Sequence, residues 1–173
     1  MELKDIFVKN YLFHPNRSEY DALLQYSTAS KDIANLGDLI NCEFGFVKQL
    51  QYSVSKGFNI DGLVEYFPQV NIYELKFSQF VQLINWIKNQ LEFINKLESD
   101  NLSYQPDGKE EAAGIDDFNK FGYLVQIDSL AGGDITKYEQ VKKTKYMDCF
   151  TKLLMNKTTF DYTKRLNKLY GKV

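Results

Sequence analysis

Arginine is scarce: of 21 basic side chains only Arg17 and Arg165 are guanidinium groups, the rest being lysine. That weighs against a protein built to read guanine edges or grip phosphates bidentately, for which arginine's planar fork is suited. Histidine occurs once, as His14 beside Pro15, far from any nucleophile motif, and fits a turn residue better than a catalytic base. The two cysteines, Cys42 and Cys149, form no CxxC or Cys/His cluster, so no metal site is expected. Reduced, part-buried thiols are expected of them, with a disulfide left open. Neither GxxxxGK[ST] nor GxGxxG occurs, which removes support for a phosphate-cradling loop and for a nucleotide cofactor. Gly132-Gly133-Asp134 reads instead as a helix stop followed by a helix start. The apolar runs are too short to span a bilayer, and Met1-Glu2-Leu3-Lys4-Asp5 does not open a secretory signal. The expectation is a chain made in the cytoplasm that stays soluble or enters a particle assembled there, without membrane contact. The adjacent carboxylates, Glu110-Glu111 and Asp116-Asp117, point in different directions when helical, so neither pair is an acid/base dyad. No enzyme, cofactor or metal is expected.

What the chain has in quantity is rings. Phe occurs 13 times and Tyr 12 times, and hydrophobic residues make up 44% of the 173 residues. This is the composition of a folded domain with a Phe-rich core, and aromatics are also enriched at interfaces. The length fits a single helical domain over 1–173.

Helical spacing predicts a helix over 2–13, a break at His14-Pro15-Asn16, and a short helix over 19–26 capped by Ser18. Residues 27–37 read as a loop. A helix over 39–56 stops at Gly57, and another over 61–67 ends at Pro68. Residues 70–73 alternate weakly and read as extended. The strongest element covers 78–99, where Phe77, Phe80, Ile84, Ile87, Leu91 and Ile94 repeat in steps of three and four, with Val81 and Leu83 widening the face. That seam is expected to be the core of the protomer and not a coiled coil between chains. A polar surface loop is expected over 100–108, then a helix over 109–131 weakened by Gly114 and Gly122, with a break near Gly122 left open. Thr136 and Glu139 match a capping box for a helix to about 143, and Thr144 is placed as the cap of a last helix over 145–170. The fold class is all-α, a helical bundle of about six or seven helices. Its basic C-terminal helix is able to extend as an arm.

The net charge of −2 hides a division. Residues 1–133 carry 11 basic and 19 acidic side chains, whereas 134–173 carry 10 basic and 4 acidic ones. Three readings compete: lysines that solvate the last helix or pair with the acidic stretch of the same chain, head-to-tail association between copies, and nucleic-acid binding by the basic tail. Complementary potentials favour orientation and on-rate, and loose interleaving of rings and lysines in an acidic chain disfavours direct nucleic-acid contact. The residues expected to bind a partner are Lys157, Tyr162, Lys164, Arg165, Leu166, Lys168, Leu169 and Tyr170 on the basic side. On the acidic side they are Glu110, Glu111, Asp116 and Asp117.

Over 102–166, the run "LAGGDITKYEQV", the short "KTKY" link and the following "FTKLLMNK" resemble proteins of tailed phages of gut Bacteroides, the crAss-like phages among them. The D-x-x-K-x-E-x-V turn before a helix ending in a basic patch is also similar to the helical region of phage tail-assembly chaperones. "FGFVKQLQY" and "FVQLINWIKNQLEFINKLE", within 44–98, fit the same picture. The resemblance implies a virion or virion-assembly role: a multi-copy ring or adaptor of the head–tail connector in the neck or tail region. It would touch copies of itself and other virion proteins such as portal or tail components. A tail-assembly chaperone and a small nucleic-acid-binding regulator are the alternatives.

Overall fold

The computed structural model describes residues 36–57 and 60–171. The predicted helices over 2–13 and 19–26, the break at His14 and nearly all of the 27–37 segment lie outside the described residues. The described residues are helical with no strand, so the protein is all-α. Seven α-helices are described: α1 (Phe44–Ser55), α2 (Ile60–Tyr66), α3 (Phe77–Leu102), α4 (Gly108–Ala112), α5 (Leu124–Ala131), α6 (Tyr138–Lys143) and α7 (Tyr146–Leu169). Among the described residues the chain divides into two compact units, one of residues 36–38 with 50–93, the other of residues 39–49 with 94–171.

In the first unit Leu63, Phe67 and Ile72 are buried. Phe67 lies edge-on to Trp86, centroids 6.1 Å apart, and the Ser53 and Tyr66 hydroxyls are hydrogen-bonded at 2.7 Å. The α2 helix stops just before Phe67 and Pro68, as the missing proline N–H requires. Residues 70–73 are not extended: Ile72–Glu74 form a 3-10 turn that buries Ile72. The weak alternation there is overridden by one apolar side chain that needs an interior position. All six residues of the α3 seam are buried in the single chain, together with Val81 and Leu83.

In the second unit the predicted helix over 39–56 is divided. Leu39–Asn41 form a 3-10 turn, and α1 starts only at Phe44. Glu43 between them makes an antiparallel bridge with Lys145. The Phe44 N–H donates to the Thr144 carbonyl and the Tyr146 N–H to the Cys42 carbonyl, both at 2.8 Å. This bridge draws Lys145 into extended backbone, so α7 starts at Tyr146. Thr144 does not cap it; its hydroxyl donates back to the Gln140 carbonyl at the end of α6.

The predicted helix over 109–131 is three pieces: α4, a 3-10 segment Ile115–Phe121, and α5. Gly114 and Gly122, at φ 81° and 53°, supply the left-handed backbone of both breaks. Gly132 and Gly133 close α5, with the Gly133 N–H donating to the Asp128 carbonyl at 3.0 Å. The cap expected at Thr136 belongs to Asp134, whose carboxylate accepts from the Thr136 N–H at 3.0 Å and the Thr136 hydroxyl at 2.6 Å. The lone carboxylate outcompetes the hydroxyl two residues on, and Thr136 falls inside a 3-10 turn.

Candidate functional site

The first turns of α7 bury Tyr146, Cys149 and Phe150. Tyr146 stacks between Phe44 and Phe150, with centroids 5.9 and 6.3 Å away. Burial pushes the Cys149 thiol up to about 11, with Asp148 adding to the effect, so this sulfur is no nucleophile at neutral pH. Beyond Leu154 the apolar stripe loses its period. Met155, Phe160, Tyr162, Leu169 and Tyr170 are exposed, Leu169 by 83% and Tyr170 by 71%. Leu166 is half-buried, and Arg165 and Lys168 are exposed.

Two of the expected basic residues are engaged within the chain. Lys157 pairs with Asp161 one turn on, at 2.7 Å. Lys164 closes a clip on the loop over 103–107. Its ammonium donates to the Tyr104 hydroxyl at 2.9 Å and to Glu110 at 3.2 Å, pairs with Asp107 at 3.0 Å, and stands 5.3 Å from the centre of the Tyr104 ring. The Tyr104 hydroxyl donates in turn to Glu110, and its ring meets Phe160 edge-on at 5.5 Å. The hydrogen bond to Tyr104, followed by that to Asp107, holds the Lys164 ammonium above the usual lysine range. Lys164 holds the Asp107 carboxyl low, and Tyr104 does the same for Glu110. Asp107 also caps α4, and Glu110 reaches back to the Asp107 N–H at 2.7 Å, completing a capping box. Glu110 and Lys164, assigned from sequence to opposite sides of a contact between copies, therefore meet in one chain. Glu111, Asp116 and Asp117 are exposed, with Asp116 accepting from the Asn119 side chain at 3.2 Å.

A second feature lies beside those acids. Phe118 and Phe121 from the 3-10 segment, Leu124 and Val125 from α5, and Asp128 and Tyr138 line a groove of about 300 Å³. All four apolar residues are exposed, Phe118 by 58%. The Tyr138 hydroxyl donates to Asp128 at 2.6 Å, so the two polar groups of the groove are engaged with each other. The breaks at Gly114 and Gly122 leave Phe118 and Val125 exposed rather than packed on the face of one continuous helix. The i, i+3 spacing of Phe118 and Phe121 next to a pair of aspartates was the available signal.

Among the described residues no three His, Cys, Asp or Glu side chains are grouped so as to hold a metal ion. No helix among them is long and apolar enough to cross a membrane. No family model, curated protein or solved structure matches the chain.

Proposed function

We propose that this protein acts by binding other proteins, as a multi-copy structural component of a phage head–tail connector. The observation that carries the binding role is the far half of α7. Leu169 and Tyr170 are exposed by 83% and 71% beside Arg165 and Lys168, and Phe160 and Tyr162 are exposed about two to three turns earlier. A helix end rich in rings and lysine stems offers anchor area that hydration alone does not explain. The place in a virion rests on the resemblance of 102–166 to proteins of crAss-like phages, and the division of charge suits a contact repeated from one copy to the next.

Quantitative mass spectrometry of purified particles tests this. Peptides of the chain at many copies per particle are the expected result. Presence in infected cells but not in particles would favour the tail-assembly chaperone. Salt-sensitive binding to DNA by the free protein would favour the regulator.

A further inference from the structure

The groove between the 3-10 segment Ile115–Phe121, α5 and Tyr138 has a chemistry that narrows its occupant. Its walls are Phe118, Phe121, Leu124 and Val125. At about 300 Å³ it is at the lower limit for a small-molecule site. Such sites use convergent polar groups to orient a ligand, and here Asp128 and Tyr138 are bonded to each other. The groove does have a field. Asp128 lines it, and Glu111, Asp116 and Asp117 are exposed on the segments that lead into it. Lys120 stands 5.2 Å from the centre of the Phe121 ring, a cation against one wall. A matching occupant presents aliphatic and aromatic side chains with positive charge close by.

The end of α7 has that composition: Leu169 and Tyr170 project into solvent, flanked by Arg165 and Lys168. Resting on the reading of the chain as a multi-copy protein-binding component, we infer that this groove receives the Leu169–Tyr170 end of α7 from a second copy, with Arg165 and Lys168 of the incoming helix facing Asp128, Asp116 and Asp117. The contact is heterologous: groove and tail are different surfaces, so each copy offers one of each. Repetition gives a closed ring or an open filament according to the rotation per step. The buried rings and leucine supply the affinity, while the charges set direction and rate.

Native mass spectrometry and sedimentation velocity on the full chain test this with two variants, Phe121→Asp in the groove and Leu169→Asp with Tyr170→Asp in the tail. All three positions are exposed, and far-UV circular dichroism with an unchanged melting midpoint verifies the fold. If Phe121→Asp melts early, Phe118→Ala replaces it. Wild-type protein is expected to assemble beyond the dimer. Each variant alone should weaken association by at least about tenfold, the effect of losing one central anchor. Mixed together, the two variants should pair one to one and stop at the dimer, because only one competent groove and one competent tail remain. Variants that assemble like wild type, or a mixture that stays monomeric, would overturn the groove–tail contact while leaving particle incorporation to judge the structural role. A wild-type chain that remains monomeric at every concentration would overturn it as well.

Discussion

Lys48 and Glu98 form an ion pair at 2.5 Å in which the lysine is only 5% exposed, and the same carboxylate oxygen accepts from the Tyr146 hydroxyl at 2.6 Å. Burial lowers the Lys48 pKa, and the Glu98 charge acts against that. One carboxylate thus satisfies two buried groups from α1 and α7. Removing one partner of a buried pair leaves the other uncompensated, which costs more than the pair contributes. Glu98→Ala is therefore expected to lose about 3 kcal/mol of stability. Tyr146→Phe, which leaves the ion pair in place, should lose about 1 kcal/mol. Urea denaturation with a common slope measures both. Equal losses in the two variants would count against the shared-acceptor account.

The α3 seam is buried in the chain by itself, Ile87 and Ile94 completely and Leu91 nearly so. Leu91→Ala should cost about 2–5 kcal/mol through lost burial and a residual cavity. The unfolding midpoint should fall at every protein concentration. A variant that keeps its midpoint and loses only association would return the seam to an interface role.

The Lys164 clip has a defined pH window. Asp107 and Glu110 titrate below their ordinary values of 3.8 and 4.5, so what they contribute is present above those values and lost as pH falls beneath them. Lys164 titrates above its ordinary 10.5, so its contribution is complete below that value and lost only as pH rises further. Ring shifts of Tyr104 and Phe160 in NMR should be constant from about pH 5 to 10, by order-of-magnitude reading of those limits, and move in stronger acid and again in stronger base. All these groups are near water, so salt should loosen the clip. Lys164→Ala should speed proteolysis over 103–107 relative to wild type. Equal cleavage rates would show that the loop owes nothing to α7.

Much of the helical order was legible because it rests on local chemistry. The seam of α3, the stop at Pro68 and the Gly132-Gly133 close each depend on residues within a few positions of one another. What escaped depends on partners far along the chain. Lys145 is extended because Glu43 bridges to it, and Thr144 loses its expected cap for the same reason. Lys164 meets Glu110 at a sequence separation of 54, so pairing inside one chain was among the readings the charge division allowed, and which residues would meet was not legible. The glycines that interrupt 109–131 were visible, but not that their left-handed backbone leaves Phe118, Phe121, Leu124 and Val125 lining one groove.

Gly45 sets two effects of known size against each other. It lies in the first turn of α1, where alanine is the better helix former by about 0.5–1 kcal/mol. Yet a Cβ placed there would stand 2.8 Å from the Lys142 Cβ, 3.1 Å from its Cγ and 3.2 Å from its carbonyl oxygen. These are the base of a side chain and a backbone atom, so α6 itself must move, and the neighbouring bridge through Thr144 and Lys145 resists that movement. Forcing a methyl into a filled contact costs about 1–3 kcal/mol. The clash wins, and Gly45→Ala should be less stable than wild type by about 1 kcal/mol or more. Gly108 is the control: it opens α4 with no atom within 4 Å of a built Cβ, so Gly108→Ala should be neutral or slightly stabilising. Thermal unfolding of the two variants side by side separates propensity from packing, and a stabilised Gly45→Ala would mean that α1 and α6 do not approach this closely in solution.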